Sequence, residues 1–269
     1  MNRSAYTLLL LIFALLTVPV LAEDDPPTRD TFELDGHRAF VLAPNQSAQT
    51  DTGKPWVWYA PTLGKRLPGP EEGWMFERLH AKGIAIAGID VGESYGSPKG
   101  RAAFQKLYAE MTEQRGYSKT PVLLARSRGG LMLYNWAVEH PDCVAGVAGI
   151  YPVCNLLSFP GLRRAAPAYE MTAEQLEAEL AKHNPIDRLE PLAKAKVPIF
   201  HIQGDRDGVV PLEKNSGLLA ERYQKLGGPV EVEVIEGGGH DMKRHWFESQ
   251  TLTDFMIDKA LGEPAPAGR

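Results

Sequence analysis

Pro121-Val122-Leu123-Leu124-Ala125-Arg126-Ser127-Arg128-Gly129-Gly130-Leu131 decides the fold. Its first half is a short apolar run, the length of a buried strand. A serine between two arginines follows, then two glycines. The next residues, Met132-Leu133-Tyr134-Asn135-Trp136-Ala137, read as a helix. Strand, sharp turn carrying a serine, helix is the layout of a nucleophile elbow. Such a turn strains the serine backbone and crowds its neighbours, so small residues are needed two before and two after it. Here they are Ala125 and Gly129, giving A-x-S-x-G in place of G-x-S-x-G. A serine beside glycines can also be a turn residue or a helix cap. The two readings separate on whether a base and an acid follow in the right places.

The front of the chain carries a different signal. Residues 1–22 hold one positive charge at Arg3, an apolar run over 8–18, and Val20-Leu21-Ala22 as a small-residue cleavage site. That pattern predicts a secretory signal peptide and a mature chain beginning at Glu23, periplasmic or secreted. The run is short for a membrane span and no basic stop-transfer segment follows, so no stable membrane insertion is expected after cleavage. Residues 23–30 read as a linker. The formal charge of −5 favours solubility and gives no footprint for nucleic acid.

Export raises the question of a disulfide between Cys143 and Cys154. They bracket the apolar segment 144–151, which as a strand would hold its ends roughly 25 Å apart at about 3.3 Å per residue. A disulfide needs Cα atoms within about 7 Å. Two unpaired thiols are predicted.

With 43% hydrophobic residues, the chain can bury one sizeable core. Residues 31–34 and 38–42 alternate around Asp35-Gly36, a hairpin signal. Residues 55–60 (PWVWYA) form a third strand, 74–81 a helix, 84–91 a continuous apolar strand and 102–114 an amphipathic helix. After the elbow come strand 144–151 and, following an irregular stretch, strand 198–203, helix 212–226, strand 230–235 and helix 246–261. Strands alternating with helices predict an α/β fold with a mostly parallel, doubly wound sheet led by an antiparallel hairpin. The domain is expected to span 31–261. Residues 155–196, with a helix over 174–183, are read as a small cap, and 262–269 as a disordered tail.

A serine hydroxyl needs an adjacent base, and the base needs an acid to orient it. In open α/β sheets both should stand at the carboxyl ends of strands. Strand 198–203 ends in Gly204-Asp205-Arg206-Asp207-Gly208-Val209-Val210-Pro211, and strand 230–235 in Glu236-Gly237-Gly238-Gly239-His240-Asp241. The nucleophile is assigned to Ser127, the acid to Asp207 and the base to His240, with Asp205 as a turn residue. His245 lies five residues beyond His240, but no carboxylate or cysteine spacing accompanies the pair, so neither a metal nor another cofactor is expected.

A-R-S-R-G-G, G-D-R-D-G-V-V-P and E-G-G-G-H, in that order, resemble the α/β-hydrolases over essentially the whole mature length. The Ser-Arg-Gly-Gly-Leu elbow and the segment Asp90-Val91…Tyr95-Gly96-Ser97-Pro98 look like exported bacterial members near the dienelactone-hydrolase-like and prolyl-oligopeptidase-like branches. The chain length leaves no room for the propeller of a full prolyl oligopeptidase. The resemblance implies a serine hydrolase acting through an acyl-Ser127 intermediate on a small-molecule or polysaccharide-linked carboxylic ester. A peptidase with the same triad is the alternative, and a binding protein on the same scaffold is a third reading.

Oxyanion stabilisation needs backbone donors. One is expected from Arg128, the residue after the nucleophile. The other falls to Thr62 or Leu63, with Thr62 favoured, since Pro61 has no N–H. The Arg128 side chain has two readings. Its place resembles the C-S-R segment of glucuronoyl esterases, where the arginine is thought to help bind the oxyanion, though Arg126 replaces the cysteine. Otherwise it pairs with a carboxylate. Tyr95, Trp136, His245 and Trp246 are candidates for shaping the substrate pocket, with plain core packing the stronger reading for each aromatic.

Overall fold

The computed structural model describes residues 28–63 and 67–262. The expected signal peptide, the linker up to residue 27 and the tail from 263 lie outside the described residues. Strands β1 (Thr28–Leu34) and β2 (His37–Ala43) form the antiparallel hairpin. Its turn residues Asp35 and Gly36 both take positive φ, 49° and 80°, as a two-residue hairpin turn requires. β1 begins at Thr28, ahead of the expected start at 31. Residues 28 to 30 pair with Ala43, Leu42 and Val41, because β2 runs on to Ala43 and offers backbone partners that a linker would lack.

Six further strands follow: β3 (Trp56–Ala60), β4 (Ala85–Ile89), β5 (Val122–Arg126), β6 (Gly146–Ile150), β7 (Ile199–Gly204) and β8 (Val230–Ile235). The sheet order is β1-β2-β4-β3-β5-β6-β7-β8. β2 joins β4 antiparallel, and every pairing from β4 to β8 is parallel. This is the α/β-hydrolase fold, as the sequence pattern predicts. In β8, Glu231 and Glu233 alternate with valines, which suits an edge strand with one wet face.

The connections contain helices α1 (Gly73–Ala81), α2 (Pro98–Ala109), α3 (Gly129–Ala137), α4 (Leu162–Ala165), α5 (Ala173–Ala178), α6 (Leu180–His183), α7 (Glu190–Lys194), α8 (Ser216–Lys225), α9 (Arg244–Phe247) and α10 (Gln250–Leu261). Side chains of β3 show how the sheet divides two cores. Trp56, Trp58 and Ala60 pack with α2, α3 and α8, while Val57 and Tyr59 pack with α1 and α10. The helix expected over 174–183 is interrupted at Glu179 and becomes α5 and α6. Ala165, Leu176 and Tyr169 of this region form a third small cluster with Tyr95, Leu131 and Val210. Cys143 and Cys154 are both unpaired, as the length of the intervening segment predicts.

Candidate active site

β5 ends at Arg126 and α3 starts at Gly129, so Ser127 occupies a two-residue turn. Its φ is +48°, a left-handed conformation that costs a residue with a Cβ on the order of 1–3 kcal/mol. Three backbone hydrogen bonds hold it there. Ser127 N–H donates to the Ile150 carbonyl at 3.0 Å, and the Ser127 carbonyl accepts from Gly130 at 3.0 Å and Val153 at 2.8 Å. The glycine two places on is obligatory: a Cβ at Gly129 would lie 2.0 Å from the Ala60 carbonyl oxygen.

The strand ends bring the three expected side chains together. Ser127 Oγ lies 3.0 Å from His240 Nε2, and His240 Nδ1 lies 2.8 Å from Asp207 Oδ2. Asp207 follows β7 and His240 follows β8, so two loops at one end of the sheet meet the elbow. Asp207 is buried, which works to raise its pKa. Hydrogen bonds from His240 and from the Val210 and Val209 N–H groups outweigh burial and hold the carboxyl below its usual range. Being ionised, it accepts from Nδ1–H, which leaves Nε2 as the acceptor for the serine hydroxyl. Asp205 has the turn role, its Oδ1 accepting from Gly237 N–H at 2.7 Å.

Behind Asp207 runs a buried hydrogen-bond chain. Gln203 Nε2 donates to Asp207 Oδ2 at 3.2 Å, and Ser216 donates to Gln203 Oε1 at 3.0 Å. His201 Nδ1 stands 3.0 Å from Ser216 Oγ, and His201 Nε2 is 2.7 Å from the Tyr134 hydroxyl. Since the serine hydrogen points at Gln203, His201 must donate from Nδ1 and accept from Tyr134 at Nε2. Only neutral imidazole can do both. Burial pushes the His201 pKa down to about 3. The unfolded chain therefore binds a proton here between about pH 6.5 and 3 that the folded chain does not. The contribution is fully present above pH 6.5 and is lost as pH falls, by roughly a kcal/mol per pH unit. Urea unfolding at pH 7, 6 and 5 should show that fall in wild type and a shallower one in His201→Gln.

Ser127 and His240 line a cavity of about 260 Å³ together with Arg126, Arg128, Tyr151 and Met242. Pro61, Leu63, Leu67 and Asp241 complete it. This is a partly polar site with the hydrogen-bond chain from Ser127 through His240 to Asp207 opening onto it. Residues 108–260, more than half of the chain, match the family described as the prolyl oligopeptidase family. The chain belongs to the prolyl oligopeptidase family.

Solved structures of family-like fold agree. A puromycin hydrolase matches at a TM-score of 0.68 and 19% identity, over 94% of this chain and 42% of that one. A Mycobacterium tuberculosis puromycin-hydrolyzing peptidase matches at 0.67 and 16%, over 90% and 40%. The dipeptidyl peptidase 4 of Porphyromonas gingivalis matches at 0.66 and 13%, over 88% and 36%. At these identities the likeness is one of fold, and the chain spans about two fifths of the length of these structures. No curated protein matches it.

Within this prolyl oligopeptidase-family site, the other expected residues fall unevenly. Leu63 lines the cavity and Thr62 does not. The Thr62 hydroxyl stands over Gly88, where it would crowd any Cβ. Arg128 lines the cavity, and its guanidinium pairs with Glu93, which is the carboxylate reading of that side chain. None of Tyr95, Trp136, His245 and Trp246 lines it. Trp136 sits in the core with its ring 4.7 Å from Trp58, because α3 is buried on every side. Tyr95 is buried beside the 155–196 segment and accepts from the Tyr169 hydroxyl at its carbonyl. His245 is exposed against Trp246. Trp246 acts from behind, donating to Asp241 Oδ1 at 2.9 Å and packing edge-on against Tyr151. No residue of 155–196 lines the cavity either. That segment packs beside the elbow, where its apolar side chains find Leu131 and Val210.

Tyr151, Arg126 and Glu72 were not singled out by sequence. Tyr151 directly follows β6, its ring centroid 4.3 Å from that of His240, and its hydroxyl donates to the Asp241 carbonyl at 3.1 Å. Arg126 Nη1 donates to Glu72 Oε1 at 2.6 Å, and the Tyr59 hydroxyl donates to the same oxygen at 2.6 Å. Glu72 Oε2 accepts from Gly69 N–H at 2.9 Å. The carboxylate is fully buried and the guanidinium nearly so. Burial disfavours the Arg126 charge, but Tyr59, Glu72 and Tyr151 more than offset it, and its pKa is raised.

Proposed function

We propose that this chain is an exported serine peptidase that hydrolyses short peptides through an acyl-Ser127 intermediate. The observation that carries the proposal is the unbroken chain from Ser127 Oγ through His240 to Asp207, opening onto one small cavity. Membership of the prolyl oligopeptidase family, and the likeness to structures named as peptidases, favour amide substrates over the carboxylic and carbohydrate-linked esters implied by the sequence resemblance. Export rests on the leader-like residues 1–22 alone.

In this reading His240 takes the serine proton as Oγ attacks the scissile carbonyl. It then returns that proton to the departing amine, and repeats the cycle with water to release the acid. Asp207 fixes the imidazole tautomer and stabilises the imidazolium. The developing oxyanion is received by the Arg128 N–H, at the start of α3 where helical N–H groups lack carbonyl partners. The second donor is Leu63 N–H, since Leu63 borders the cavity.

Matched peptide anilides and alkyl esters of the same acyl group separate the two substrate classes. Peptidase activity predicts turnover of both, lost together in Ser127→Ala. Ester turnover with no peptide cleavage would overturn the peptidase reading in favour of a carboxylesterase.

A further inference from the structure

Arg126 borders the catalytic cavity, yet its hydrogen bonding is lopsided. A guanidinium offers five donors in a flat fork. One edge is committed: Nη1 reaches Glu72 Oε1 at 2.6 Å and the Tyr59 hydroxyl at 3.3 Å. Nη2 instead meets the thioether sulfur of Met242 at 2.7 Å, and the Tyr151 hydroxyl also interacts with the guanidinium. Thioether sulfur is a weak acceptor, so a charged N–H directed at it is poorly satisfied. Met242 itself is 43% exposed, on an unbranched side chain free to swing. Arg126, in contrast, is fixed by a fully buried carboxylate and by the ring of Phe247, 5.1 Å away. Arg128, the other arginine among the described residues that line the cavity, is more exposed and already holds Glu93.

We propose that the Nη2 edge of Arg126 is a carboxylate subsite of the catalytic cavity, uncovered when Met242 moves aside. The proposal rests on this cavity being the active site. The substrates it selects carry a free carboxylate near the scissile bond, either at the peptide C-terminus on the leaving side or on a dicarboxylic acyl group. Glu72 holds the guanidinium in place from behind, and low local polarity strengthens the charge-assisted bond at the open edge.

Two substrate pairs test this, each differing only in charge: a tripeptide with a free or an amidated C-terminus, and 4-nitrophenyl hemisuccinate or its neutral succinamate. Wild type should favour the acid by about 10- to 100-fold in kcat/KM in at least one pair, the scale of a charge-assisted bond. Met242→Glu places a carboxylate of the chain's own against Nη2 and should bring that ratio to near parity. Met242→Gln, of the same shape but uncharged, should keep it. Met242 is exposed, so these variants leave the buried pair in place. Arg126→Met combined with Glu72→Gln removes both charges together and should also give parity. Equal turnover of acid and amide by wild type in both pairs would overturn the subsite while leaving the serine hydrolase reading intact. So would a preference that survives both Met242→Glu and the double variant. Absence of all turnover together with an unreactive Ser127 would remove the active-site reading, and the subsite with it.

Discussion

His240→Ala is expected to lower kcat by on the order of 10⁶-fold, and Ser127→Ala by as much, the scale seen when either member of a serine–histidine pair is removed in a serine protease. The reason is in the geometry. Ser127 Oγ has its base 3.0 Å away, and without it the hydroxyl must attack carrying its proton. Because the pair acts as a unit, the double variant should be no slower than either single one. Asp207→Asn should cost about 10⁴-fold, since an amide in that place favours the wrong imidazole tautomer. Gln203 bears on the same point, as its amide donates to Asp207 Oδ2. Steady-state kinetics on a peptide anilide checks all four variants. Additive losses in the double variant would contradict a shared proton transfer.

The largest expected effect on stability lies at Glu72 and Arg126. Removing one member of a buried ion pair leaves the other charge without compensation, at a cost of roughly 3–5 kcal/mol. Glu72→Ala would strand the guanidinium and also free Gly69 N–H and the Tyr59 hydroxyl, both bound to that carboxylate. Arg126→Ala would strand a carboxylate with no exposed surface. For a chain of this size such a loss lowers Tm by about 6 °C or more. Glu72→Gln combined with Arg126→Met should stay closer to wild type than either single variant, because replacing both charges avoids the unpaired state. Thermal unfolding of Glu72→Gln, Arg126→Met and their combination gives a positive coupling if the pair is real. Additive destabilisation would mean that the two side chains do not depend on each other.

The fold was legible because its strands are short, apolar and separated by helices of clear period. The hairpin turn Asp35-Gly36 and the elbow glycine Gly129 each have a backbone reason visible in the residue type. The meeting of Ser127, His240 and Asp207 was legible because each lies in a loop that follows a strand. The Arg126–Glu72 pair was not, since its partners lie 54 residues apart and Pro70-Glu71-Glu72-Gly73 reads like any solvated acidic turn. For Trp136 the sequence leaves pocket and core both open, because a helix buried on all sides offers no polar face to show which side meets the site. His201 and Gln203 did carry a usable sign. Two polar residues at i and i+2 of a fully buried strand share one face and must find partners there. In this chain those partners lead to Asp207.

The most direct test of the central claim is the intact mass of the protein after treatment with a fluorophosphonate. An activated serine next to its base predicts one adduct on wild type and none on Ser127→Ala. A folded wild type that gains no adduct, or a Ser127→Ala variant that still gains one, would contradict the assignment of Ser127 as the nucleophile.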